Sequence, residues 1–204
     1  IERHKPFSLS LWVNADKKFE RSNILGRNRG WYDAGSRGYE LMIEDGKLSF
    51  ALVHFYPGNE IRVRTQKELP INAWHQVSVS YDGSSKAGGI KLFLDGEELV
   101  CDIIKDKLTK EIWYQNTDQK PDPKKKKKNG DRSEKLYIGA RFRDTGFTNS
   151  KVDDFKLFDR QLSSLEMRQN FASSTNSSET ELYEYYLLNH SEKYQHAFTE
   201  LSKA

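Results

Sequence analysis

The chain has a single cysteine, Cys101, among 204 residues. It cannot close an intramolecular disulfide, and its cysteine content leaves the redox compartment open. It has no run of 18 apolar residues, which excludes a membrane-crossing helix and with it membrane insertion. Proline is scarce at five residues, and two of them, Pro121 and Pro123, stand just before a lysine run. A charge excess is missing as well. Lys and Arg number 33 against 30 Asp and Glu, a net charge of +3. Without Lys124 to Lys128 the balance is 28 against 30, so the basic excess belongs to one loop. A nucleic-acid-binding face spreads Lys and Arg over a surface, and this chain does not. No Ser-His-Asp or Cys-His arrangement is present, and no segment concentrates acidic residues as an EF-hand loop does. There is no signal peptide, but the chain opens at Ile1 and reaches a strand within six residues. It is expected to be a segment of a longer protein, so the missing signal says nothing of export.

Strand signals are abundant. The length suits one domain with an appendage. Hydrophobic residues make up 36% and aromatics 12%, enough for a sizeable core and suited to strands. From Gly38 to Asp82, apolar runs alternate with turn dipeptides. Tyr39 to Glu44 and Lys47 to Tyr56 flank Asp45-Gly46, a two-residue hairpin signal. Pro57-Gly58-Asn59 separates the second run from Glu60 to Thr65, and Trp74 to Tyr81 is a fourth run. Before them, Pro6 to Ala15 alternates Phe7, Leu9, Leu11 and Val13 on a core face with Ser8, Ser10, Trp12 and Asn14 on the other. Asn23 to Arg27 reads as a short strand. Ile90 to Asp95, Asp95-Gly96 and Glu97 to Ile104 read as a further hairpin, and Leu136 to Phe142 and Lys151 to Phe158 as later strands.

Trp113 to Glu134 is a long polar loop that cannot bury enough apolar area to offset its ordering entropy, and mobility is expected there. Ser163 with Glu166 forms a capping box that starts a short helix ending near Ala172. From Glu179 onward the spacing of Leu182, Tyr185, Tyr186, Tyr194, Phe198 and Leu201 is helical, and Asn189-His190-Ser191 divides two helices. Strands first and helices last predict an all-β sandwich over residues 1–172, with a linker and helical tail over 173–204.

Four segments carry a resemblance. FSLSLWVNA (Phe7 to Ala15), NAWHQVSVSYDG (Asn72 to Gly83), IKLFLDGEEL (Ile90 to Leu99), and LYIGARF with VDDFKLFDRQLSSLEM (to Met167) resemble, in order, the strands of the concanavalin A-like lectin/glucanase superfamily in its laminin-G-like branch. The resemblance implies a jelly-roll sandwich of two antiparallel sheets. Narrower likenesses lie in GYELMIEDGKLSFALVHFYPGNEIRVRT, DGSSKAGGIKLFLDG, IGARFRDTGF and YYLLNHSEKYQHAFTEL. These resemble the laminin-G-like insert of large exported planctomycete-type proteins that carry a cytochrome-c-like domain. This implies a secreted or periplasmic multidomain parent, with the tail as link to its next domain.

Glucanases of this superfamily carry Glu-x-Asp-x-x-Glu on one strand face, and retaining chemistry needs two carboxylates about 5 Å apart. Glu40 and Glu44 share a strand face but lack the intervening Asp, while Asp153 and Asp154 point to opposite faces. A hydrolase is therefore the weakest reading. Cys101 is expected to pack as a small apolar residue. Relatives in the superfamily often bind calcium at the sandwich rim, which makes Asp16, Asn28, Asp33, Asp153 and Asp154 candidate oxygen donors. The alternative is that the paired aspartates bond backbone amides.

A ligand face is the third question. With Tyr56 opposite Ile61, the hairpin places Leu48, Phe50, Leu52, His54, Ile61 and Val63 on the core side. Val53, Phe55, Arg62 and Arg64 then share the outer side. Arginines beside rings suit an acidic glycan, by stacking and forked hydrogen bonds. Arg141 and Arg143 alternate similarly and are candidates to join them. The competing reading pairs these arginines with Glu40, Glu44 and Asp144 under a covering segment. Trp31-Tyr32 and Trp113-Tyr114 are either sugar platforms, loop anchors or contacts to a neighbouring domain; Trp12 and Trp74 are assigned to the core. The tail helices either fold back or mediate a dimer. Two functions follow: a non-catalytic module binding carbohydrate or a neighbouring domain, with calcium optional, or a structural spacer without ligand.

Overall fold

The computed structural model describes residues 1–28, 37–113, 135–141, 144–172 and 177–203, with side chains to residue 200. Eleven strands are described: β1 Phe7–Asn14, β2 Arg21–Gly26, β3 Gly38–Glu44, β4 Lys47–Phe55, β5 Asn59–Glu68, β6 His75–Tyr81, β7 Ile90–Leu94, β8 Glu97–Glu98, β9 Cys101–Asp106, β10 Tyr137–Ile138 and β11 Lys151–Phe158. Three helices follow: α1 Ser164–Phe171, α2 Glu179–His190 and α3 Glu192–Lys203. The strands form a jelly-roll sandwich of two antiparallel sheets. One runs β11-β1-β6-β7-β8 and the other β10-β2-β3-β4-β5-β9.

Period-2 alternation builds the core. Leu9, Leu11, Val77, Val79 and Leu92 from the first sheet meet Ile24, Leu41, Phe50, Leu52 and Ile61 from the second, all fully buried. Each such side chain contributes about 1.5–3 kcal/mol of transfer free energy. The two Asp-Gly turns do what their sequence requires. Asp45 and Gly46 have φ of 52° and 78°, and Asp95 and Gly96 have 51° and 81°. Positive φ at both central residues lets the turn twist match the strands.

Three sequence readings change. The β4–β5 register is Leu52 opposite Ile61 and Ala51 opposite Arg62, four residues from the expected pairing. Residues 56–58 form the loop, so Phe55 meets Asn59, three residues from its expected partner, and a bulge between Val53 and Phe55 adds the fourth. Because four is even, the core faces survive the slide, except at His54. That ring is half-buried, with Nδ1 2.6 Å from the Glu111 carbonyl oxygen. Second, the run from Glu97 to Ile104 is two strands. β8 pairs with β7, while β9 crosses to the other sheet and pairs with β5. Third, only Tyr137 and Ile138 of the expected strand from Leu136 pair with β2.

The capping box is present at α1: the Ser163 hydroxyl accepts from Glu166 N, and Glu166 Oε2 accepts from Ser163 N at 2.9 Å. Helix α1 lies on the outer face of the first sheet, with Met167 and Leu162 against Phe93. This is why Ser8 and Ser10, expected to face outward, are buried. Leu162 N donates to Ser8 Oγ at 2.8 Å, and Asn170 Nδ2 to Ser10 Oγ at 2.9 Å. Helix α2 begins with a second capping box, Ser178 with Glu181. It is held to the body by ionic contacts. Arg168 Nη2 lies 2.5 Å from Glu181 Oε1, Lys91 Nζ 3.1 Å from Glu184 Oε1, and Ser164 N donates to Glu184 Oε2 at 3.0 Å.

Candidate functional site

The outer face of the second sheet carries a buried layer of charge. Alternation on β3 puts Glu40, Met42 and Glu44 on this face, and alternation on β5 adds Glu60, Arg62 and Arg64. Strand β4 lies between them and contributes Ser49 and Ala51, whose small side chains leave space above the sheet. Arg62 reaches across Ala51 and donates from Nη2 to Glu40 Oε1 at 2.5 Å. Its other terminal nitrogen is 3.4 Å from Ser49 Oγ and 3.6 Å from Glu44 Oε1.

The chain beyond β10 folds over this layer. Arg141 Nη1 donates to Glu40 Oε2 and to Asn28 Oδ1, and its Nε donates to Asp144 Oδ2 at 2.6 Å. Asn28 Nδ2 donates to Glu40 Oε2 at 2.7 Å. Asp144 in turn accepts both Nε and Nη2 of Arg21, each at 2.8 Å, a forked pair. The result is an alternating row: Arg62, Glu40, Arg141, Asp144, Arg21. Glu40, Arg62 and Arg141 are 2%, 3% and 4% exposed.

Electrostatics follow from this order. Burial alone would raise the Glu40 carboxyl, but the Arg141 and Arg62 charges override it and hold it well below the usual carboxylate range. Burial also opposes ionisation of Asp144, and its hydrogen bonds from Arg21 and Arg141 win, so it too is lowered. Glu60 behaves oppositely. Burial pushes it up, and the Arg62 charge, 3.5 Å away and shared with Glu40, does not restore it. Arg62 itself is raised, because its three carboxylate neighbours outweigh its desolvation.

This arrangement corrects the expectation of an open arginine face. Arg62 and Arg141 are enclosed and paired with Glu40, Glu44 and Asp144, so neither presents a free fork to solvent. Arg64 is partly exposed, 3.7 Å from Asp45. Phe55 is 45% exposed, but it stands at the far end of β4, opposite Asn59, whereas Arg64 lies opposite Ser49. Six residues of strand place those ends about 20 Å apart, so they do not form one site. Trp113 is half-buried as an anchor. Its Nε1 donates to the Ile1 carbonyl oxygen at 2.6 Å, its edge meets Tyr39, and the Arg27 guanidinium lies 4.1 Å over its ring. Trp31, Tyr32, Arg143, Asp33 and the lysine run lie outside the described residues.

The candidate calcium donors are not brought together. Asp16 is bonded to Ser150, Asn28 belongs to the charged layer, Asp153 accepts from Asp154 N at 2.8 Å, and Asp154 pairs with Lys156. Among the described residues, no group of three or more His, Cys, Asp or Glu forms a metal-holding cluster. Cys101 is half-buried against the core, and burial pushes its thiol up to about 11, far from a reactive thiolate.

Trp74 was misplaced by sequence reasoning. It stands just before β6 and is 42% exposed. The signal was available, because Trp74 alternates with Gln76, Ser78 and Ser80, the outer set of that strand, and not with the core residues Val77 and Val79.

With the fold and this layer described, the chain can be compared with known proteins. The family model of the concanavalin A-like lectin/glucanases superfamily, in its laminin-G form, matches residues 1–102, half the sequence. The chain belongs to that superfamily. Among solved structures with this superfamily's fold is the carbohydrate-binding module, class 40, of the Ruminococcus gnavus IT-sialidase, bound to α2,3-sialyllactose. It has 13% identity and a TM-score of 0.53, covering 82% of this chain and 83% of that one. The binding domain of Paraclostridial Mosquitocidal Protein 1 has 13% identity and a TM-score of 0.53 over 84% of this chain, and that of botulinum neurotoxin serotype G has 12% and 0.51 over 83%. The chain spans 38% and 36% of the length of those two toxin domains. No curated protein matches the sequence.

Proposed function

We propose that this chain is a non-catalytic carbohydrate-binding module of a larger exported protein. The observation that carries the reading is the state of the carboxylates on the sheet face. Glu40, Glu44 and Asp144 are each paired with arginine, and Glu40 and Asp144 are held ionised, while Glu60, which burial pushes up, is 1% exposed against Arg62 and out of a substrate's reach, so no accessible carboxyl there is poised to donate a proton while a second attacks. What supports binding is the likeness in fold to a sialidase's carbohydrate module over four fifths of both chains, together with aromatic side chains left open on the sandwich. The parent's activity, its export and any calcium or dimer contact of the tail belong to the same proposal.

A second reading, the inter-domain spacer, is favoured by the closure of the arginine layer through the pairing of Arg62, Glu40, Arg141 and Asp144. A glycan array separates the two. The full chain, screened with and without chelator, is expected to bind a defined set of glycans and to release no reducing ends from them. A folded chain that binds nothing leaves the spacer as the better account.

A further inference from the structure

Resting on the binding-module reading, the structure assigns a site for a neutral glycan to the outer face of the first sheet, around Trp74. Helix α1 covers only part of that face. It reaches over the rows of Ser8 and Ser10 and ends at Phe171, whose ring packs 5.7 Å from Trp12. The row of Trp12 and Gln76 lies under the end of the helix, and past it Trp74 is 42% exposed, Asn14 half-buried and Lys151 and Asp153 exposed. Trp12 lies between Asp153 and Gln76, and Asn14 lies beside Lys151. Asn72 N donates to the Ala15 carbonyl oxygen at 2.7 Å, and His75 pairs with Val13, so Trp74 runs alongside Asn14. Alternation puts Trp74 on the same face as Gln76 and Trp12.

The chemistry of this patch is specific. An open indole offers a flat apolar surface. Around it stand a half-buried amide, Asn14, and two exposed charges of opposite sign, Lys151 and Asp153. Gln76 is 1% exposed, gives its Nε2 to the Asn170 carbonyl at 3.2 Å, and has no hydrogen-bond partner for Oε1. The accessible set, Trp74, Asn14, Lys151 and Asp153, therefore combines one stacking surface with several donors and acceptors and no net charge. A pyranose has that composition: C–H groups on one face and hydroxyls at its edge. An acidic sugar needs an unopposed cation, and Asp153 opposes Lys151 here. A protein partner needs a broad patch of about 800 Å², largely apolar at its centre, which these polar neighbours do not supply.

Affinity electrophoresis of the full chain tests the assignment. Native gels contain xylan, mixed-linkage β-glucan, glucomannan or polysialic acid. The variants are Trp74→Ala, Trp74→Phe, Asn14→Ala and, away from the patch, Arg64→Ala, each checked for an unchanged urea midpoint. At least one neutral polysaccharide is expected to retard the wild type. Trp74→Ala should weaken that affinity about tenfold or more, Trp74→Phe should keep part of it, and Arg64→Ala should leave it unchanged. Neutral-glycan binding that survives in Trp74→Ala overturns the site and leaves the module reading intact. Retardation by polysialic acid alone, lost in Arg64→Ala, does the same. No retardation of the folded wild type in any gel overturns both.

Discussion

Arg62 and Glu40 meet at 2.5 Å across an intervening strand, both almost completely buried. Neither has water to fall back on. Breaking a buried pair strands the other partner, which costs about 3–5 kcal/mol. Glu40→Gln leaves two arginines, Arg62 and Arg141, without their shared counter-charge. It should lower the unfolding free energy by about 3 kcal/mol in a urea titration. A loss under about 1 kcal/mol would show that the layer is hydrated and weakly coupled.

The same residue sets the acid limb of stability. The unfolded chain protonates Glu40 near its ordinary 4.5, the folded protein far lower. The unfolded state therefore takes up the proton first, and this contribution is fully present above about pH 4.5 and lost as pH falls below it. Asp144 acts in the same direction below its ordinary 3.8. Urea midpoints measured between pH 6 and 2.5 should fall steeply below about 4.5, and less steeply in Glu40→Gln.

Glu60 gives the opposite sign. Its folded pKa lies above its ordinary 4.5, so its contribution is present below that pH and lost as pH rises through the folded value. Glu60→Gln should raise the urea midpoint at pH 7 and change it little at pH 4. An equal effect at both pH values would assign the gain to packing and not to charge.

The tail is predicted to be salt-sensitive. Its first helix is pinned through Arg168 to Glu181 and through Lys91 and Ser164 N to Glu184, and none of the residues of α2 is fully buried. Raising ionic strength from 0.1 to 1 M shortens the screening length from about 10 to 3 Å. Hydrogen exchange over 179–190 should quicken several-fold at 1 M salt, and equally in Glu181→Gln/Glu184→Gln at low salt, with exchange in β1 and β6 unaltered.

Gly96 holds α1 against the sheet. Its φ is +81°, and a Cβ there would stand 2.9 Å from Arg168 Cα, a backbone atom that cannot swing away. Gly96→Ala should cost more than about 1 kcal/mol by combining left-handed strain with that collision. The thermal midpoint reads this out; a neutral substitution would mean that α1 is free to shift.

Much of this architecture was legible locally. Alternation marked the core of β1, the Asp-Gly pairs marked two hairpins, and Ser163 with Glu166 marked the start of α1. What escaped was decided at a distance. Three residues of the register slide come from the turn lying at 56–58, so that Phe55 meets Asn59 instead of Arg62, and the fourth from a bulge between Val53 and Phe55 that no composition signal marks. The run from Glu97 to Ile104 alternates as one strand, yet the chain changes sheets after Leu99, a residue packed against the core. The charged layer was legible as a set of residues on one face. Its closure was legible as one of two readings, the pairing of the arginines with Glu40, Glu44 and Asp144, but local pattern could not decide for it, because Arg141 and Asp144 lie about a hundred residues from Glu40. Trp74 was readable but was assigned by residue type instead of by the company it keeps.

The pairing of β1 with β11 has a mechanical consequence. Ser8 lies opposite Phe158, so the chain enters and leaves the sandwich at the same end of two adjacent antiparallel strands. Tension applied through those two points opens the ladder from that end, one hydrogen bond after another, instead of shearing many at once. The bonds from Leu162 N to Ser8 Oγ and from Ser8 Oγ to the Arg160 carbonyl oxygen tie that end of the ladder together. Pulled from those two points, the sandwich yields by unzipping at a lower force than a ladder sheared along its strands.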